Sequence, residues 1–120
     1  MRQAYAHDAV VVLTGGDDER APGAAITREL CGSWDHEPPC PLAPHHIGTG
    51  RDGDTVRLRV LFAAGTADEP EARRRIGVAL RSAEVTGPDG TTTRWRLDSD
   101  GPSEVRAGEA EHAARLIGTV

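Results

Sequence analysis

The stretch that decides the fold is Asp54-Thr55-Val56-Arg57-Leu58-Arg59-Val60-Leu61-Phe62-Ala63. Its residues at even positions from 56 to 62 are apolar. Because successive side chains of a β-strand point to opposite faces, these residues share one face. Arg57 and Arg59 lie on the other face, which turns apolar at Leu61. The alternation predicts a strand that lays one face on a hydrophobic core.

A helix is predicted on either side of this strand in the chain. The first covers residues 22–31, because Pro22 suits a first helical turn and Ile26 and Leu30 lie four residues apart on one face. The second follows the capping-box sequence at residues 66–69 and ends near residue 81. Its outward residues include Arg73, Arg74 and Arg81, and its buried stripe comprises Ala72, Ile76, Ala79, Leu80 and Ala83.

Three more strands are predicted outside this central unit. Residues 9–13 are apolar throughout, which is typical of an internal strand covered on both faces. Residues 83–86 and 91–97 flank the turn sequence Gly87-Pro88-Asp89-Gly90 and predict a β-hairpin whose second strand ends at residues 98–102. In that second strand, Trp95 and Leu97 point to the core, whereas Arg94 and Arg96 point outwards.

The two ends of the chain carry weaker patterns. Residues 1–7 have no clear periodicity and predict a ragged N-terminus. A last helix is expected over residues 107–117, since apolar side chains recur there at helical spacing. The inner face of this helix would contain Ala110, Ala113, Ala114 and Ile117.

Together these elements predict one α/β domain, residues 1–120, with a small mixed sheet in the order β-α-loop-β-α-β-β-α. A helix that joins the first two strands makes them parallel through a right-handed crossover. The order is similar to the core topology of thioredoxin-like domains, in which the first strand is internal and the second and fourth lie at the edges. The likeness is one of topology alone, because the turn at residues 15–19 lacks the cysteines of that fold's redox motif. The alternative is an α+β sandwich with helices on one face of an antiparallel sheet.

Composition limits the classes of partner. The formal net charge is −5, which argues against non-specific binding of nucleic acid or of an anionic membrane by the whole surface. No apolar segment has the length of a membrane span. We therefore expect a cytoplasmic protein that binds neither membrane nor nucleic acid. In that compartment its two cysteines are expected to be reduced or metal-bound rather than bridged.

The most distinctive segment is a long connection at about residues 32–53, which begins beside Cys31. Its donors follow the order Cys31-x4-His36-x3-Cys40-x4-His45-His46. Zinc prefers four nitrogen or sulfur ligands in a tetrahedron, so this density of thiols and imidazoles predicts a zinc-class site. Neighbouring residues of an extended chain point in different directions. One of His45 and His46 is therefore expected to bind the metal, and the other to face solvent or support the site from outside.

Several chemistries stay open for this segment. With Cys31 as a fourth ligand the site would be closed and structural, whereas an open site could hold a reactive water with Glu37 as the base. Asp35 or Glu37 could instead orient an imidazole. Cys40 could also act as a nucleophile with His45 as its base. The metal-free alternatives are a disulfide between Cys31 and Cys40, or inert core and loop residues.

The leading functional prediction is thus a small metal-binding protein with a structural, metal-handling or partner-recognition role, the partner being an unidentified protein. A small enzyme that uses Cys40 or a metal-bound water is a further alternative. His112 could join a metal site only if the fold brings it near the Cys/His segment.

A second functional prediction comes from the outward arginines of the two alternating strands, which are Arg57, Arg59, Arg94 and Arg96. Clustered guanidinium groups hold carboxylate or phosphate, so a metal-free thioredoxin-like module could bind an acidic partner or a small anion with this face. The plainer interpretation is a solvated face of ion pairs. Trp95 alternates away from these arginines, so the stacking aromatics of an RNA-binding sheet are not expected beside them.

Overall fold

In the computed structural model, five β-strands and three α-helices make up the part of the chain that the structure describes. That part comprises residues 2–13, 18–31 and 43–118, with the backbone alone for Cys31. The elements in chain order are β1 (Arg2–Leu13), α1 (Ala21–Cys31), β2 (His45–Asp52), β3 (Thr55–Gly65), α2 (Glu69–Ser82), β4 (Glu84–Thr86), β5 (Thr92–Ser103) and α3 (Ala110–Ile117). A 3-10 turn at Ala107–Glu109 leads into α3.

The strands form one mixed α+β architecture around a five-stranded sheet in the order β2-β3-β1-β5-β4. Each neighbouring pair is antiparallel. β1 is the central strand, as its apolar sequence predicts. It pairs with β3 from Arg2 opposite Gly65 to Val12 opposite Thr55. On its other side it pairs with β5, with an irregular register between Val10 and Val11.

The thioredoxin-like topology is not confirmed, and the expected parallel pairing of the first two predicted strands is wrong. β1 and β3 are antiparallel because an unpredicted strand, β2, lies between them in the chain and forms a hairpin with β3. β2 runs in the same direction as β1, with β3 between them. The helix α1 therefore crosses from β1 to β2, and it is β2, not β3, that runs parallel to β1 after this crossover.

β2 also corrects the prediction of an irregular connection through residue 53. The segment from His45 to Asp52 pairs residue by residue with Phe62 back to Thr55 of β3. The alternation of apolar and polar residues that predicts a strand is missing at Gly48 and Gly50, because glycine contributes no side chain to either face. The turn that joins β2 to β3 contains Gly53 at a φ of 62°, a conformation that glycine adopts without strain.

The edge strands are β2 and β4, not β3 and β5, which are the second and fourth predicted strands and which the thioredoxin-like topology would place at the edges. β3 and β5 lie inside the sheet. Their arginines alternate with apolar residues because one face of the sheet is only partly covered. A strand can thus be central in its hydrogen bonding and still expose one of its faces.

The two faces of the sheet are covered differently. Helices α1 and α2 pack on one face, here called the two-helix face, and form the main core with side chains such as Val11, Leu58 and Phe62. On the other face, α3 packs Leu116 against a small cluster made by Ala6, Leu61 and Ala63. The α+β class and the antiparallel sheet of the alternative prediction are therefore confirmed, whereas its placement of all helices on one face is wrong.

Several local predictions are confirmed. The bounds of α1 and α2 agree with the predicted helices to within a few residues. The hairpin of β4 and β5 forms at the predicted turn, where the Gly87 amide donates to the Thr91 carbonyl at 2.9 Å. Trp95 is 6% exposed, and its indole nitrogen donates to the Leu80 carbonyl at 3.0 Å. This bond attaches the end of α2 to the sheet.

Other local predictions are wrong. Residues 2–7 belong to β1 instead of forming a ragged end, and β5 continues to Ser103. The inner face of α3 consists of Ala113 and Leu116, while Ile117 is 39% exposed. The helix is thus rotated by about one residue from the predicted stripe. Among the described residues, no helix is long and apolar enough to cross a membrane.

Candidate functional site

The structure leaves most of the Cys/His segment outside the described residues. Asp35, His36, Glu37 and Cys40 lie there, as does the side chain of Cys31. The zinc-class site, the disulfide and the Cys40 chemistry therefore stay predictions. In the described ranges, no three His, Cys, Asp or Glu side chains converge as metal ligands would. Metal analysis of protein purified without a histidine tag tests the zinc prediction, and less than about a tenth of an equivalent would contradict it.

His45 and His46 are described, and they lie on opposite faces of β2. His45 is on the two-helix face, where its Nε2 lies 2.9 Å from the Thr27 hydroxyl and its Nδ1 lies 3.1 Å from the Ala43 carbonyl oxygen. A carbonyl only accepts, so Nδ1 carries the proton and Nε2 accepts from the hydroxyl. Both ring nitrogens of His45 are thus engaged, and a metal would have to displace one of these bonds.

His46 points to the other face, beside a residue from the far end of the chain. The centroids of the His46 and His112 rings are 4.4 Å apart, at an interplanar angle of 54°. Burial, and to a lesser degree the proximity of His112, lower the pKa of His46. The fold therefore brings His112 beside His46, the last donor of the Cys/His segment, which is the condition that the sequence set for a role of His112 in metal binding.

The four outward arginines of β3 and β5 share the face that carries α3, here called the arginine face. Arg57 lies opposite Val10 of β1, and Arg96 lies opposite Val12. Asp8 is opposite Arg59. The central strand thus separates the arginines of β3 from those of β5.

Arg59 is fully engaged in hydrogen bonds. Its Nε and Nη2 donate to the two carboxylate oxygens of Glu109 at 2.7 and 2.6 Å. Its Nη1 donates to Asp8 and to the Ser103 hydroxyl at 2.8 and 3.0 Å, and Nη2 also donates to the Glu104 carbonyl at 2.7 Å. All five guanidinium hydrogens therefore have an acceptor. The bidentate bond from Arg59 lowers the pKa of Glu109 to about 2, and the same bond raises the pKa of Arg59.

The other arginines of this face differ from Arg59. Arg94 makes one ion pair with Glu84 at 3.1 Å, and both side chains are largely exposed. Arg57 and Arg96 are exposed, and neither has a hydrogen bond or ion pair with any residue in the described part of the chain. The solvated ion-pair interpretation therefore fits Arg59 and Arg94 but not Arg57 and Arg96.

A groove of about 460 Å³ lies beside Arg57 on the arginine face. It runs between the central strand and the edge strand β2. Gly48 and Gly50 keep it open: a Cβ on Gly50 would meet no atom within 4 Å, and one on Gly48 would come no closer than 3.9 Å to the Arg59 carbonyl oxygen. Its lining residues are Asp8, Ala9, Val10, Gly48, Gly50, Arg57, Leu58, Arg59 and Arg106. The groove thus combines an apolar floor with arginines at its rim.

A second groove of similar size, about 480 Å³, lies between the start of α1 and the β4–β5 turn. Its only arginine among the lining residues, Arg20, donates to the Asp18 carboxylate through Nε at 3.2 Å. The same carboxylate accepts from the Arg20 amide at 2.9 Å. Because this cation already has its counter-ion, the groove beside Arg57 is the better candidate for binding an anion.

A buried polar network on the two-helix face is not predicted by the sequence. His7 is 4% exposed, its Nε2 lies 2.9 Å from Asp100, and its Nδ1 lies 3.1 Å from the Arg73 guanidinium. Arg73, which was expected to point outwards, turns inward over the rings of Tyr5 and Phe62, with its guanidinium carbon 5.7 and 5.3 Å from their centroids. It also donates to the Ala6 carbonyl at 2.8 Å and to Glu69 at 2.8 Å.

The pair of His7 and Asp100 has the composition of a catalytic dyad, but the hydrogen bonds of His7 are those of a structural residue. Arginine only donates, so His7 Nδ1 accepts from Arg73 and Nε2–H donates to Asp100. Neither ring nitrogen is left to take a proton from a substrate. No local signal in the sequence indicates the network, because its members lie up to 93 residues apart.

Comparison with known proteins adds no relative from which a function could be transferred. No protein-family model, no curated protein and no solved structure matches this chain. The function must therefore be argued from the geometry of the molecule itself.

Proposed function

We propose that this protein is a small binding module that holds an organic anion, a carboxylate or phosphate on an apolar body, in the groove beside Arg57. The observation that carries the proposal is the state of Arg57. Its guanidinium is exposed and has no partner among the described residues, while Arg59, two residues further on the same strand and face, has every hydrogen engaged.

The chemistry of the rim suits such a ligand. A guanidinium presents two parallel N–H groups that match both oxygens of a carboxylate or phosphate. Asp8 is the acidic residue of the lining, and it accepts from Arg59 at 2.8 Å. A bound anion at Arg57 would therefore compete with no carboxylate in the described part of the chain for that cation.

The apolar floor of the groove determines which kind of anion should bind there. An exposed ion pair contributes only about 0.2–1 kcal/mol, so Arg57 alone would hold a bare anion weakly. A ring that buries about 80 Å² against Val10 and the glycine-lined wall would add about 2 kcal/mol. Together these contributions are about 2–3 kcal/mol, so we expect an aromatic or aliphatic anion to bind with a Kd on the order of 10 mM, and inorganic phosphate to bind more weakly.

A nuclear magnetic resonance titration tests this proposal. Phenyl phosphate and benzoate should each shift the amide resonances of Gly48 and Gly50, which line the groove. Arg57→Ala should abolish these shifts. The matched control is Arg81→Ala, which removes another exposed arginine, on α2, and should leave the titration unchanged. Equal binding by the wild-type protein and Arg57→Ala would contradict the proposal.

An acidic protein segment is the competing ligand of the same chemistry. Laid across the sheet, it would present successive carboxylates and reach Arg96 as well as Arg57. A small anion in the groove needs Arg57 but not Arg96, because Arg96 is not part of the groove lining. Equal losses of affinity for a hexaglutamate peptide in Arg57→Ala and Arg96→Ala, without binding of phenyl phosphate, would replace the small anion with an acidic partner.

A further inference from the structure

The pair formed by His46 and His112 joins an edge strand to the last helix. Both imidazoles lie on the arginine face, with ring centroids 4.4 Å apart. Among the described residues, neither ring has a hydrogen-bond partner, and His46 is exposed while His112 is half-buried. Two accessible imidazoles with uncommitted nitrogens therefore face each other across two elements.

We propose that His46 and His112 form a binding site for a divalent transition-metal ion of the zinc class, with water in its remaining positions. The site is separate from the anion groove, since neither histidine lines it. Imidazole is a preferred ligand of zinc, copper and nickel.

The ring separation fits a shared metal. With a metal–nitrogen bond of about 2.0–2.1 Å, a metal on the nitrogen axis lies about 3.2 Å from the ring centroid. Two such rings have centroids about 4.5 Å apart at a right angle and about 5.2 Å apart at the tetrahedral angle. The observed 4.4 Å lies next to the first value, so the ring separation is compatible with one ion bound by both imidazoles.

The backbone positions of both ligands are fixed by regular structure. His46 lies opposite Leu61 in the β2–β3 ladder. His112 precedes Ala113, which is buried together with Leu116 where α3 packs on the sheet. The Arg59–Glu109 bidentate bond holds the start of the same helix. Ligands on such elements lose little conformational freedom when an ion binds.

The protonation state also suits a metal ligand. A metal competes with a proton for the imidazole lone pair. Partial desolvation, and to a lesser degree the neighbouring His112 ring, lower the pKa of His46, a shift that favours the unprotonated imidazole.

The full-length protein without a histidine tag is titrated with zinc chloride by calorimetry. Because the two imidazoles act as linked ligands, removal of either one in His46→Gln or His112→Gln should weaken binding at this site by roughly tenfold or more. His45→Gln is the matched control, since it alters the neighbouring residue on the opposite face, and it should leave this site unchanged. In the wild-type protein, zinc should also shift the ring nitrogen resonances of His112.

Cys31, His36 and Cys40 supply another possible source of metal binding, so the triple variant Cys31→Ser, His36→Gln, Cys40→Ser is titrated as well. Retention of one bound zinc that is lost again on adding His112→Gln supports the proposal. An unchanged stoichiometry and affinity in His112→Gln, with no shift of its ring resonances in the wild-type protein, overturns it.

Discussion

The two ends of the arginine face carry the same residue type in opposite states. At the end covered by α3, Arg59 donates to two carboxylates, a hydroxyl and a carbonyl, and its side chain is 16% exposed. At the uncovered end, Arg57 and Arg96 are exposed and have no partner among the residues described. Arg57 and Arg59 share one strand and one face, so the strand pattern does not set their roles.

The difference comes from what packs beside each arginine. The turn before α3 supplies Glu109, and the segment before it supplies the Glu104 carbonyl. Across the β1–β3 ladder, Arg59 faces Asp8, whereas Arg57 faces Val10. Acceptors thus surround one guanidinium and are missing from the described surroundings of the other. We interpret the first arginine as an anchor for α3 and the second as a ligand-binding cation.

The largest expected effect that separates the two arginines is on stability. Arg59→Met should lower the free energy of unfolding by about 2–3 kcal/mol, because it removes every hydrogen bond of the guanidinium and leaves the partly buried carboxylate of Glu109 without its counter-ion. Arg57→Met should change it by less than about 0.5 kcal/mol, as is usual for an exposed side chain. Urea unfolding of both variants measures the difference, and similar values for the two would remove the distinction.

A pH dependence should follow from the same anchor. The pKa of Glu109 is about 2 in the folded protein, below its ordinary value near 4.5. The unfolded chain therefore binds this proton more readily, and protonation favours unfolding. The stabilisation is complete above about pH 4.5 and is lost as the pH falls towards 2. Solvent screening of this partly exposed pair reduces the expected amount to about 1 kcal/mol.

The measurement is the unfolding free energy from pH 6 to pH 2 in the wild-type protein and in Glu109→Gln. The variant should be the less stable protein at pH 6, and the two curves should converge at low pH. Glu104→Gln is the control, because Arg59 binds the Glu104 backbone carbonyl and not its carboxylate. Curves for wild type and Glu109→Gln that stay parallel throughout would show that the carboxylate does not anchor α3.

Sequence alone could identify the strand and the face of these arginines, because a period of two residues is a local property. It could not separate Arg57 from Arg59. The acceptors of Arg59 lie 50 residues later at Glu109 and 51 residues earlier at Asp8. The inward turn of Arg73 has the same cause, since its partners on β1, the Ala6 carbonyl and His7, are distant in the chain.

Glycine explains the main error in the fold. Gly48 and Gly50 removed the alternation by which β2 would have been recognised, and the missing strand reversed the inferred direction of β3. The same glycines leave the groove beside Arg57 open. The groove therefore lies beside a strand, β2, that the sequence pattern does not predict. The Cys/His segment has the strongest sequence signal for a site. The metal site predicted there stays a prediction, because most of that segment lies outside the described residues.

The smallest expected stability change belongs to a substitution that would make the open end resemble the closed one. Val10 stands opposite Arg57 as Asp8 stands opposite Arg59, so Val10→Asp would give Arg57 an internal carboxylate at the equivalent ladder position. An exposed cross-strand ion pair contributes about 0.2–1 kcal/mol, which should largely offset the loss of the half-buried valine. Binding of phenyl phosphate should nevertheless disappear, because the new carboxylate forms an ion pair with the Arg57 guanidinium in place of the ligand. Val10→Asn, which keeps the shape without the charge, should retain measurable binding in the same titration. If the asparagine and aspartate variants bind phenyl phosphate equally, then the lack of a carboxylate partner for Arg57 does not explain ligand binding at the open end.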